Sequence, residues 1–108
     1  MILVIANLEL FIKIFKLNRL IETMPIEDDI KRFILRKLAR HRMWMHKHTS
    51  IHNLSKGLPD YLKSSGEVKK VINELLKSGF LLSKPTNYGL EVSLNIQMKR
   101  EIENFIGD

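Results

Sequence analysis

A chain of 108 residues makes one small domain, with room for a modest core but little for an enclosed substrate pocket as well. Cysteine is absent, which excludes disulfides, thiolate catalysis and cysteine-ligated zinc and accords with a reducing, cytoplasmic setting. The net charge of +6 is unevenly spread: between Lys31 and Lys84 thirteen basic residues face only Asp60, Glu67 and Glu74, a net of +10 that attracts a polyanion, the plainer alternative being ordinary surface lysine.

Residues 1–24 form an apolar segment in which Leu3, Leu10, Ile14, Leu17 and Ile21 fall on heptad-like positions, interrupted by Asn7. Glu9, Lys13 and Lys16 gather on the other side, and with Arg19 they break up the run, so it is not read as a membrane span. No basic stretch precedes it and no small-residue cleavage site follows, so it is not read as a signal peptide either. A helix this apolar needs a partner surface: a second copy in a homodimer, which is the preferred reading, its own domain, or a membrane interface. Met24, directly before Pro25, is an alternative first residue.

After Pro25, the acids Glu27, Asp28 and Asp29 suit the start of a helix whose buried face is Ile30, Phe33, Ile34 and Leu38, with Leu35 near its edge. Lys31, Arg32, Arg36, Lys37 and Arg40 occupy the rest, ending in His41 and Arg42. Acids first and bases last is what the helix dipole prefers, so part of this charge is structural; Arg40 and Arg42 are still assigned to phosphate contact. In the next stretch Thr49 or Ser50 caps a short helix carrying Ile51 and Leu54 and closed by Gly57, and Pro59-Asp60-Tyr61-Leu62 reads as a further helical turn. Trp44 is read as core or subunit contact. His46, His48 and His52 have spacing that suggests a metal, but no acid lies nearby to orient a ring or complete the shell, and no metal is assigned.

Ser64-Ser65-Gly66-Glu67 reads as a capping box opening a helix, with Val68, Val71, Ile72, Leu75 and Leu76 on one buried face. Lys69, Lys70, Asn73 and Lys77 then point away, and Gly79 stops the helix. From Phe80 the period changes to two, giving a hairpin in which Leu90, Val92 and Leu94 share a face across a polar turn from Lys84 to Gly89. Asn95 caps a last helix with Met98, Ile102, Phe105 and Ile106 on a stripe that either closes the core or contributes to a dimer interface.

Catalytic constellations are missing. The chain has no Gly-rich phosphate loop, no nucleophile elbow and no HExxH-type zinc helix, and Ser64-Ser65 beside Glu67 is explained by capping. The reading is therefore of a protein that is not an enzyme and uses no cofactor or small-molecule ligand.

The order helix, short helical turn, capped helix, hairpin from Ile30 to Asn95 resembles the winged helix-turn-helix family. The run Lys77-Ser78-Gly79-Phe80-Leu81-Leu82, with the turn Lys84 to Gly89 behind it, is similar to the small winged-helix proteins of archaea. The resemblance implies a mainly α fold with a small β-hairpin (α+β): a winged-helix domain over residues 25–95 with extra helices at 1–24 and 96–108. It implies that Ser65, Lys69, Lys70 and Asn73 enter the major groove of double-stranded DNA while Lys84, Asn87 and Tyr88 of the wing reach a neighbouring phosphate or minor groove. The function so implied is that of a DNA-binding transcriptional regulator or accessory factor. A protein-interaction module is one alternative, and an RNA-binding protein with Tyr88 or Trp44 stacking on bases is another.

Overall fold

The computed structural model describes Leu10, Lys13 and residues 26–107. Leu10 and Lys13 are helical; the rest of the expected N-terminal helix over 1–24, and with it the proposed dimer contact, lies outside the described residues. The described chain is α+β, with helix α1 over residues 26–40, strand β1 at Thr49–Ser50, and helices α2 at Asp60–Lys63 and α3 at Val68–Lys77. Strands β2 at Leu81–Thr86 and β3 at Gly89–Leu94 and helix α4 at Lys99–Ile106 complete it.

The core is built where these elements turn their apolar sides together. Ile30, Ile34, Leu35 and Leu38 of α1 meet Val71 and Leu75 of α3, Leu81, Val92 and Leu94 of the sheet, and Ile102 and Ile106 of α4, all buried. Leu54, Leu58 and Leu62 close the cluster between α1 and α3 along the chain. Leu35, expected at the edge of the α1 face, is fully buried, because α4 packs on that side and widens the covered arc. The α4 stripe thus closes the domain's own core. Trp44 is half-buried against the same cluster.

The sheet has three strands in the order β1-β3-β2, all antiparallel, where the sequence suggests only a hairpin. Thr49 pairs with Val92 and Ser50 with Glu91. The expected cap at Thr49 or Ser50 is realised at the strand's end: Ser50 Oγ accepts from His52 N at 3.3 Å and starts a 3-10 turn over Ile51–Asn53 in place of a short α-helix. A two-residue strand carries no periodicity of its own and exists through its pairing with β3.

The hairpin is longer and its turn tighter than the six-residue turn expected. Lys84 pairs with Glu91 and Pro85 with Leu90 within the ladder, leaving Asn87 and Tyr88 as the turn. Neither takes a positive φ; that conformation falls on Gly89, at +121°. Thr86 braces the turn, its hydroxyl donating to Gly89 O at 2.7 Å and accepting from Tyr88 N at 3.2 Å.

The capping box is not formed as expected. Helix α3 starts at Val68, and Ser65, not Ser64, accepts from Glu67 N, at 3.3 Å. The Ser65 hydroxyl also donates to Leu62 O at 2.6 Å, tying α3's start to the end of α2. Gly66 stands between at φ +78°, a conformation that interrupts any helix begun at Ser64. The far end is as expected, with Gly79 in the left-handed conformation and its N–H bonded to Leu76 O.

Candidate nucleic-acid interface

Helix α3 buries Val71 and Leu75 and half-buries Val68, Ile72 and Leu76, so its outer side is set by what remains. Lys69, Lys70, Asn73, Glu74 and Lys77 line one shallow concave surface with Gly66. Lys69, Asn73 and Lys77 are exposed and hold no partner among the described residues. Glu74, the acid on this face, is held by Lys31 of α1 at 3.3 Å, which leaves the lysines beside it less opposed. Lys77 belongs to this surface although the family pattern does not nominate it; its signal in the sequence is its position one turn beyond Asn73.

Lys70 is differently placed. Its ammonium donates to Glu27 Oε1 at 3.0 Å and lies 3.9 Å from Glu67, so the acids at the starts of α1 and α3 converge on it. The hydrogen bond and charge of Glu27, and then the charge of Glu67, raise its pKa above the ordinary lysine value. Lys70 remains exposed and cationic but shares its charge with two acids, so it offers less uncompensated charge to an anion than the unpartnered Lys69. Ser65, nominated for the same groove, is half-buried with its hydroxyl committed to Leu62 O and Glu67 N, and so acts as a turn former.

The hairpin tip stands one strand length from the point where α3 delivers the chain, roughly 20 Å at about 3.3 Å per residue. Asn87 is exposed there, and Tyr88 is 97% exposed, presenting a whole ring to solvent. Lys84 is also exposed but lies within β2, below the tip, on the side of the sheet that carries Glu91. Glu91 is engaged by His48 Nδ1 at 3.1 Å. The acid sought near the histidines thus comes from β3, some forty residues on in the chain, while His46 and His52 are exposed. Among the described residues no three His, Cys, Asp or Glu side chains are grouped to hold a metal ion.

Arg40 and Arg42 are not brought to the α3 surface. Arg40 lines a groove on the outer side of α1 with Lys37 and Lys56. Arg42 follows the end of α1, where Met43 O accepts from Leu94 N at the base of the hairpin, at the other end of β3 from the tip. It holds φ +57° in a C-terminal cap whose bonds are Arg42 N to Ala39 O and Met43 N to Leu38 O, a place usually taken by glycine. The other α1 cations are structural: Arg36 donates to Ile106 O at 3.0 Å and Arg32 to Phe105 O at 3.4 Å, satisfying carbonyls at the end of α4.

Among the described residues no helix is long and apolar enough to cross a membrane. Comparison with protein-family models, with curated proteins and with solved structures returns no match, so the functional reading rests on this geometry.

Proposed function

We propose that the chain is a non-enzymatic, cytoplasmic double-stranded-DNA-binding protein of winged-helix type, a regulator or accessory factor, with α3 as the groove helix and the β2–β3 hairpin as the wing. The observation that carries this reading is the outer face of α3, where Lys69, Asn73 and Lys77 stand exposed and unpartnered among the described residues. Lysines along one helix face neutralise successive phosphates, and asparagine among them can bond the edge of adenine through both its donor and its acceptor. The element order α1-β1-α2-α3-β2-β3 with β3 between β1 and β2 supports the wing assignment, because it leaves β2 and the hairpin tip free at the sheet's edge. Homodimerisation is part of the proposal, and since α4 spends its apolar side on the core, it rests on residues 1–24 alone.

Fluorescence anisotropy against random-sequence duplex DNA across a salt series tests the reading. Micromolar or tighter binding with a steep salt slope is expected, in the range of non-specific protein–DNA contact. Absence of duplex binding at low salt overturns it. For the dimer, an unchanged molar mass in solution after truncation to Met24 overturns the role given to the N-terminal segment.

A further inference from the structure

A second basic surface lies on the opposite side of α1. Glu27 and Lys31 face α3, where they hold Lys70 and Glu74. Arg36 and Arg40 lie half a turn around the helix from them, nine positions along at 3.6 residues per turn. There α1 and the segment from Lys56 to Leu62 enclose an open groove of about 610 Å³, with Lys37 and Arg40 on one wall and Lys56 and Tyr61 on the other.

The charge in this groove is not relieved as that of Lys70 is beside α3. The acid among its described lining residues is Asp29, which lies 3.5 Å from Arg32. Lys37 is fastened to the backbone, donating to the carbonyls of Asn53 and Lys56, and so is held close to the Lys56 ammonium. Burial, and then the charge of Lys56, push its pKa below the ordinary lysine value. Arg40 and Lys56 are exposed and unpartnered among the described residues. The fold thus gathers Lys37, Arg40 and Lys56 on this groove with none of them ion-paired among the described residues, an arrangement that a bound anion relieves.

The other wall adds a ring. Tyr61 is 64% exposed at the groove, and Phe33 lines the same space. Cations beside an accessible ring match a strand whose bases are unpaired: phosphates meet the cations and a base stacks on the tyrosine. Duplex DNA keeps its base faces stacked on one another, and an acidic peptide uses the cations without needing the ring.

We propose that this groove binds single-stranded polynucleotide independently of α3, with Arg40 and Lys56 on phosphate and Tyr61 stacked on a base. A fluorescein-labelled oligo(dT) of about twelve nucleotides, within the span of known single-strand sites, is the probe, and a random duplex is run in parallel. In the intact protein, Arg40→Gln with Lys56→Gln is expected to weaken oligo(dT) binding about tenfold, as expected for two lost phosphate contacts. Tyr61→Ala is expected to weaken it about fivefold or more, the loss of one base–aromatic stack, while Tyr61→Phe keeps it. Each change should leave duplex affinity within about twofold, and Lys69→Ala with Lys77→Ala should do the reverse. All five positions are exposed or at the rim, so an unchanged melting temperature accompanies the result.

Oligo(dT) affinity unmoved by the Arg40 and Lys56 changes overturns the proposal, as does equal loss in the Lys69 and Lys77 variant, which would mean one shared surface. Full displacement by poly-glutamate at equal charge, with Tyr61→Ala silent, assigns the groove to acidic peptide and also overturns it. Loss of duplex binding alone sinks the α3 reading and leaves the groove standing.

Discussion

Helices α3 and α4 solve the same packing problem and differ in what they show to solvent. Each lays an apolar stripe on one core, Val71 and Leu75 from α3 and Ile102 and Ile106 from α4. Outside, α4 carries Lys99 and Arg100 against Glu101 and Glu103, with Lys99 and Glu103 3.9 Å apart one turn along. Helix α3 carries Lys69, Lys70 and Lys77 against Glu74, and Glu74 is drawn away by Lys31. Amphipathic spacing therefore locates a core contact in both and says nothing about a ligand. It is the surplus of charge, left after neighbouring helices have taken their partners, that sets the proposed binding face of α3 apart from the solvated face of α4.

The largest effects should be shared by the two helices. Leu75→Ala and Ile102→Ala each remove a fully buried branched side chain, and each is expected to lower stability by about 3 kcal/mol in urea unfolding. A loss below about 1 kcal/mol at Ile102, far under the usual range for such a truncation, would mean that α4 is not docked and would end the parallel.

Binding should then divide them. Lys69→Ala with Lys77→Ala is expected to reduce the duplex salt slope by about 2, close to one for each phosphate contact, and to weaken affinity about tenfold. Lys99→Ala with Arg100→Ala should leave both quantities unchanged. Equal effects of the two pairs would make the basic character of α3 ordinary surface charge.

A smaller effect is expected at Arg42, whose left-handed backbone is set by the Met43 N to Leu38 O cap. Arg42→Gly should stabilise the protein by about 1 kcal/mol, the typical penalty for a side chain in this conformation. If the arginine serves polyanion binding, the same variant binds more weakly; gain of stability without loss of binding removes Arg42 from the contact set.

The smallest effect concerns Lys70. Its pKa is raised by Glu27, so the pairing contributes fully below the unfolded lysine pKa of about 10.4 and is lost as pH rises through the higher folded value. An NMR titration of the Lys70 ε-methylene should place its midpoint above the ordinary lysine value, and Glu27→Gln should lower it. A midpoint unmoved by Glu27→Gln breaks the distinction drawn between paired and unpaired lysines on α3.

Much of this architecture is written in local pattern. The stripe of α3, its stop at Gly79, the α1 core face and the change to a two-residue period after Phe80 are each consequences of spacing and of single-residue conformational preference. The misreadings have one cause, competition from neighbours. Ser64 lost the cap to Ser65, whose hydroxyl also reaches Leu62 O, and Lys84 joined β2 because the ladder with β3 continues through Glu91 and Leu90. The site was legible in part: sequence spacing put Lys69, Lys70 and Asn73 outward, but not that Lys70 would be taken by Glu27, forty-three positions earlier in the chain.

What the sequence determined alone is the amphipathic frame and the concentration of positive charge in its middle, since both follow from residue type and period. Tertiary structure decided which cations are spent and which remain. Lys31 and Lys70 found acids, Arg32 and Arg36 found the end of α4, and Arg40, Lys56, Lys69 and Lys77 found no partner among the described residues. Opposite charges neutralise each other only at a few ångströms, and which groups come that close is fixed by the packing of the helices, not by their order in the chain.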